Sequence, residues 1–263
     1  MSTPMHPERH PEWRPAAGSV PSPLVLQAGT DRPEATLWLL PERALWWPAG
    51  ATLFVADVHL GKAAAFRAAG LPVPGGTTQD NLQRLGALLT RHRAQRLVVL
   101  GDWLHARSGR TAAVLDALLA WRQAHAGLAC VLVRGNHDGR AGDPPRVLEM
   151  TVVDEPWPCG PWQCRHAPPP PDDPPGAHER AEGIALCGHV HPVCVLHGPA
   201  RERLRLPCFV LTRQALWLPA FGAFTGGHAV PAAPGRVRCA VLDDAVCPIE
   251  RPPPQPWRIV PPG

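Results

Sequence analysis

The chain has 263 residues, 45% hydrophobic and 18% charged, which is enough for one large globular domain with a core of its own. Its formal charge of +4 permits an anionic substrate but excludes the dense basic stripe of a dedicated DNA-binding module. No apolar run approaches the roughly 18 residues that span a bilayer, and the start MSTPMHPERHPEWRP lacks an apolar signal core, so a cytoplasmic protein without membrane contact is expected.

Residues 1–23, rich in Pro, Arg, His and Glu, read as a disordered leader; 24–250 read as the folded domain and 251–263 as a Pro-rich tail. From 36 to 56 the runs ATLWLL, RALWW and ATLFVA, broken at Pro41 and Pro48, have the pattern of a hairpin feeding a central strand. A helix follows over about 78–93, with Leu82, Leu85, Leu88 and Leu89 at helical spacing and Thr77 or Thr78 as its cap. Then come a strand at 96–100, a helix over about 111–125 and a strand at 128–134, a βαβαβ core. Beyond it lie short strands near 151–153, 160–166, 183–187, 192–197, 203–211, 215–218 and 236–242, interrupted by a proline-rich loop at 167–180. An α/β first half and a β-rich second half without a linker imply two packed sheets flanked by helices.

The 35 prolines imply many forced breaks, and eight cysteines without a CxxC pair read as buried thiols. Lys62 is the single lysine among 26 basic residues, a bias read as base composition.

Four apolar runs end in residues that bind metals: TLFVA before Asp57-Val58-His59, RLVVL before Gly101-Asp102, CVLVR before Gly135-Asn136-His137-Asp138, and GIALC before Gly188-His189-Val190-His191. In α/β sheets the C-terminal strand ends form one rim, so loops remote in sequence can converge there. Carboxylate, amide and imidazole donors without thiolate suit Mn, Fe or Zn better than Ca or Mg. There are more donors than one ion can hold, so two divalent ions are implied, with Asp102 as the natural bridge.

In this order the motifs resemble the calcineurin-type metallophosphoesterase superfamily. VADVHLGKAAAFRAAGLPVPGGTT, GDWLHARSGR, LVRGNHD, GHVHP and LPAFGAFTGG are similar to its ligase-associated members, the PdeM proteins, over roughly residues 36–245. The resemblance implies a four-layer αββα sandwich of two mixed sheets. It also implies a manganese-dependent phosphodiesterase or endonuclease acting on DNA in repair, beside an ATP-dependent DNA ligase, a helicase and an exonuclease. Carried over motif by motif, Asp57, His59, Asp102 and His191 hold one ion, and Asp102, Asn136, His166 and His189 the other. His137 protonates the leaving oxygen, with Asp138 orienting its ring and raising its pKa.

His166 stands in Arg165-His166-Ala167 where the superfamily shows Gly-His, and His178 in the proline-rich loop competes with it. His105 lines the pocket or is a solvated loop residue. Arg67, Arg107, Arg110, Arg134 and Arg140 are phosphate contacts or plain surface charge. Phe221, Phe224 and Gly226-Gly227-His228 reach the rim or anchor the last strands. The ten tryptophans read as core and loop anchors, and His10, His92, His125 and His197 as surface residues. Rival functions are a phosphomonoesterase, a small or cyclic nucleotide phosphodiesterase, and a metal-free scaffold of the same fold.

Overall fold

The computed structural model describes residues 22–29, 33–170, 183–199 and 202–261. The leader up to residue 21, His10, His178 and most of the proline-rich loop lie outside the described residues.

Seven strands of the first sheet come in chain order: β1 (Leu24–Ala28), β2 (Thr36–Leu40), β3 (Ala44–Trp47), β4 (Thr52–Val55), β5 (Arg96–Leu100), β6 (Ala129–Val133) and β7 (Met150–Val153). β1 to β4 form an antiparallel meander, and β4 to β7 run parallel. Between them lie α1 (Lys62–Ala68), α2 (Thr77–His92), α3 (Ala112–Ala124) and α4 (Asn136–Ala141). The strands expected around 36–56, 96–100 and 128–134 and the two long helices are all present. The cap expected from Thr77 or Thr78 is absent: Gly76 precedes α2 without a side-chain bond, and Thr78 Oγ1 instead accepts from the Gly61 N–H at 3.2 Å.

The second sheet contains β8 (Trp157–Cys159), β9 (Trp162–Cys164), β10 (Ile184–Cys187), β11 (Pro192–His197), β12 (Arg203–Leu211), β13 (Ala215–Trp217), β14 (His228–Ala229), β15 (Val237–Val241) and β16 (Val246–Pro248). Within it β9, β10 and β13 are parallel, while β11, β12, β15 and β16 pair antiparallel in turn or along β12. The last strand, β17 (Trp257–Val260), returns to the first sheet against β1. The segment expected as a tail therefore carries a core residue: Trp257 is buried, stacks on Trp162 and donates its indole N–H to Thr212 O at 2.8 Å.

Period-two alternation explains why the central strands read as unbroken apolar runs. Val98 and Leu100 face the second sheet, where they meet Leu186, Phe209 and Leu216, whereas Leu97 and Val99 face Leu82, Leu85 and Leu118 of α2 and α3. The two mixed sheets pack as expected. Of the helices, α2 and α3 cover the first sheet, and every described α-helix lies before residue 142. The outer face of the second sheet is closed by non-helical residues such as Val190, Val230 and Ile249 over Cys194 and Val210. All eight cysteines are free and seven are buried. Among the described residues no helix is long and apolar enough to cross a membrane.

Candidate metal centre

The parallel strands β4, β5 and β6 of one sheet and β9 and β10 of the other end at one rim. Each is followed within three residues by a motif side chain: Asp57, Asp102, Asn136, His166 and His189. The loops after β4 and β5 stay zipped together, with Asp57 N donating to Gly101 O at 3.2 Å and His59 N to Asp102 O at 2.9 Å. Five motif residues adopt the left-handed conformation, with φ of 53° at Asp57, 49° at His59, 54° at Asp102, 67° at His189 and 49° at His191. Such backbone costs about 1 kcal/mol or more per residue and clusters where side chains must turn to a common point.

The motif glycines supply the clearance. A Cβ on Gly135 would lie 2.4 Å from Asp102 Oδ1, and one on Gly188 would lie 2.5 Å from Asp57 Oδ2.

Two knots of donors result. In the first, His59 Nε2 and His191 Nε2 are 3.3 Å apart, Asp57 Oδ1 is 3.3 Å from His191 Nε2, and Asp102 Oδ2 is 3.7 Å from His59 Nε2. In the second, Asn136 Oδ1 lies 2.8 Å from His166 Nε2 and 3.1 Å from His189 Nδ1, while Asp102 Oδ1 lies 3.7 Å from His166 Nε2. The two oxygens of Asp102 thus face different knots. Asp57 with His59 and His191, and Asp57 with Asp102 and His166, each bring three donor atoms close enough to share one ion.

Backbone carbonyls fix the imidazole tautomers. His191 donates Nδ1–H to Gly226 O at 3.1 Å and His166 donates Nδ1–H to Leu100 O at 3.1 Å, which fixes the tautomer that turns Nε2 of each ring, as a lone-pair donor to a metal, toward its knot. Asp57 Oδ1 is buried and accepts no hydrogen bond. Lone pairs facing one another around an orphaned, buried carboxylate oxygen are what a divalent cation satisfies, so the residues fit metal binding.

At His59 the electrostatics favour the neutral ring. Burial, then the charges of Lys62, His191, His137 and His105, push His59 down to about 2, a ring held neutral. Burial pushes Asp102 up, opposed by His166 and the His137 N–H. At His191 burial lowers the pKa, but the Asp57 carboxylate 3.3 Å away and the bond to Gly226 O raise it to a net increase.

His166 is buried within the second knot, as expected of a residue ending β9, and its own N–H and that of Ala167 are held by Glu155 Oε2 at 2.5 and 3.1 Å. Glu155 escaped the sequence reading because it belongs to no motif. His137 stands at the rim, its Nε2 4.0 Å from Asp102 Oδ2 and its backbone N–H on Asp102 Oδ1 at 2.9 Å.

The expected partnership of Asp138 with the His137 ring is corrected. The Asp138 carboxylate instead accepts the N–H groups of Asp102 (2.8 Å), Trp103 (3.0 Å), Leu104 (3.3 Å) and Gly135 (3.0 Å), and the His137 Nδ1–H donates to His105 O at 3.0 Å. Asp138 sits at the start of α4, facing inward, so it clamps two motif loops together; burial pushes it up to about 6, opposed by its N–H donors.

His105 does line the centre, stacked on His137 with centroids 4.9 Å apart and its Nδ1 3.4 Å from His59 Nδ1. Of the candidate phosphate arginines, Arg134 is paired with Asp143 and Asp154, Arg110 donates to Ala141 O, and Arg67 donates to Pro74 O. Arg107 and Arg140 are exposed. Phe221 is fully buried, whereas Phe224 meets Phe66 near the rim. None of the nine described tryptophans is exposed. Two histidines expected at the surface are packed instead: His92 stacks on Trp46, and His125 donates to Trp121 O at 2.7 Å. A cavity of about 620 Å³ lies at the opposite ends of β5 and β6, lined by Thr90, Gln95, Arg96, His125 and small or apolar residues, and none of the motif residues reaches it.

The family model for calcineurin-like phosphoesterases matches residues 51–163. The crystal structure of Pseudomonas putida nuclease MPE is similar at 42% sequence identity and a TM-score of 0.71, covering 87% of this chain and 100% of that one. The structure of Yfce, a phosphoesterase from E. coli, matches at 15% identity over 75% of this chain and 97% of its own, with a TM-score of 0.38, too remote to bear on function. No curated protein matches the chain. At 42% identity over the nuclease's full length, and with two knots of metal-binding donors where parallel strands end, the chain belongs to the calcineurin-like phosphoesterase family and is a metal-dependent phosphoester hydrolase.

Proposed function

We propose that the chain is a dinuclear, manganese-dependent phosphodiesterase that cuts DNA, working in repair beside an ATP-dependent ligase, a helicase and an exonuclease. The observation that carries the dinuclear reading is Asp102, whose two oxygens each lie 3.7 Å from an imidazole of a different donor knot. Asp57, His59, Asp102 and His191 would hold one ion, and Asp102, Asn136, His166 and His189 the other. Oxygen and imidazole donors without thiolate favour manganese over a structural zinc. DNA as substrate is favoured by the likeness to a nuclease.

Two divalent ions, when bound, neutralise charge on the phosphoryl oxygens and lower the pKa of a water toward neutrality. The rest falls to the chain. His137, with Nδ1–H fixed on His105 O, presents Nε2 to the rim and in its imidazolium form donates a proton to the leaving oxygen. Asp138 holds the loops of Asp102 and Asn136 in register through four backbone N–H bonds, so the donors are in place before substrate arrives.

The test is turnover by the manganese-loaded protein on a chromogenic phosphodiester and the matching monoester, then on nicked, single-stranded and duplex DNA. Diester preference with DNA cleavage is expected. Preference for the monoester would overturn the diesterase reading; diester turnover without cleavage of any DNA would move the substrate to a small nucleotide or RNA.

A further inference from the structure

Lys62 is the chain's single lysine among 26 basic residues. A composition that makes every other basic position Arg leaves one compact ammonium, and it stands in the wall of the metal centre. It opens α1, three residues after His59, and its backbone N–H donates to His59 O at 3.1 Å. The start of the helix is pinned, since Gly61 donates to Thr78 Oγ1 and approaches Gly109 so closely that a Cβ would lie 2.4 Å from its carbonyl oxygen.

The half-buried side chain lies over the ring of Phe66, with Nζ 5.8 Å from its centroid. Phe66 meets His105 edge-on at 5.8 Å, and His105 stacks on His137. The ammonium therefore shares one aromatic wall with the proposed proton donor. Among the described residues no carboxylate lies within ion-pair distance of it. Burial lowers the pKa of Lys62, and the charges of Asp102 and Asp57 oppose that, which places the ammonium within electrostatic reach of the centre.

We propose that Lys62 is a substrate-contacting residue whose ammonium donates to an anionic, non-bridging oxygen of a substrate phosphate on the His137 side of the centre. The inference rests on the phosphodiesterase reading above and adds a residue to it. An ammonium suits the place better than a guanidinium, because three rotatable donors on a compact charge can follow a phosphate oxygen past the Phe66 ring without a planar fork. The competing role is a cation merely resting on an aromatic face, which has no reason to respond to phosphate.

The single lysine makes the test direct. An amine-acylating reagent on the full-length, manganese-loaded protein marks Lys62 and the N-terminal amine, and peptide mapping separates the two. Saturating inorganic phosphate, or a phosphorothioate oligonucleotide, should slow labelling of Lys62 at least fivefold and leave the N-terminus unchanged. In parallel, Lys62→Met should raise KM for DNA roughly tenfold, the loss of one charge-assisted contact, with Lys62→Arg in between. The slope of log KM against log salt should fall by about one phosphate contact. Manganese content and the thermal midpoint of both variants should match the parent. A KM change on the chromogenic diester as well places the contact on the scissile phosphate; a change on DNA alone places it on a neighbouring one. Labelling insensitive to phosphate, with KM and salt slope unchanged, overturns the proposal and leaves the diesterase reading standing. A parent protein inactive on every diester overturns that reading instead, while phosphate protection would still establish the contact.

Discussion

Gly101 lies so close to His166 that a Cβ built on it would sit 2.0 Å from the imidazole Nδ1. The ring cannot retreat, because it is buried and its Nδ1–H is committed to Leu100 O. Gly101 also has φ +83°, where an L side chain is strained. Gly101→Ala should therefore displace His166 and lose about 2–4 kcal/mol of stability, combining overpacking with backbone strain. Urea unfolding of the metal-free protein and metal analysis of the loaded one check this. Full stability with two manganese ions per chain would refute the proposed place of His166 in the second knot.

Asp138 and the loop after β5 form the second relationship with a measurable consequence. Four backbone N–H groups converge on one buried carboxylate, and none of the bonds involves the ring of His137. Asp138→Asn would turn an amide NH₂ toward some of these donors, leaving at least one of them unpaired. A loss of about 2–4 kcal/mol is expected from bonds to a charged acceptor, read as a lower urea midpoint. An equally stable variant with only an altered pH–rate profile would return Asp138 to the role of partner to His137.

The metal motifs were legible because each is a short segment at the end of a strongly apolar strand, and local text carries both the strand and the ligand. His166 could be placed by the same logic, from the apolar WQC before it. The supports could not be read that way, since they join segments far apart in sequence. Asn81 Oδ1 accepts the N–H of Ala223 at 3.0 Å while its Nδ2 reaches Val58 O at 3.5 Å, tying α2 to both loops. Arg84 of the same helix bonds Phe221 O and covers its ring. Neither residue differs in sequence from an ordinary polar position on an amphipathic helix. β1 and β17 were missed for a related reason: each is a short run beside prolines, and only their mutual pairing makes them a sheet edge.

Arg238 and Glu250 make a pH dependence separable from the metal centre. Burial works to raise the Glu250 pKa, but the Arg238 side chain and its backbone N–H, at 2.8 Å, prevail and hold it below the usual range. A depressed folded pKa means that stability from this pair is present above the unfolded pKa and lost as pH falls through the folded one. Glu250→Gln should be less stable at pH 7 by about 0.5–1.5 kcal/mol, an estimate kept small because the pair is partly exposed. The gap should close as pH falls below about 4. Unfolding curves at pH 7, 5 and 3.5 test it, and a gap that persists or widens on acidification would contradict the assignment.

His137 is the residue whose removal best separates chemistry from metal binding. Its Nε2 stands 4.0 Å from Asp102 Oδ2, farther than the donors of either knot stand from their partners, and its Nδ1–H is fixed by the His105 carbonyl rather than by a carboxylate. It nevertheless shares a cluster with His59 and His105 tight enough to bind an ion, so a ligand role is the competing assignment. The two assignments differ in what His137→Ala does to metal. A proton donor lost from the rim should lower kcat by about 10²–10⁴-fold and leave both manganese ions bound, with little change in KM. The deficit should shrink for a diester whose leaving group is acidic enough to depart unprotonated, because such a substrate does not need the donor. Loss of an ion, or an equal deficit on substrates with good and poor leaving groups, would instead put His137 among the ligands.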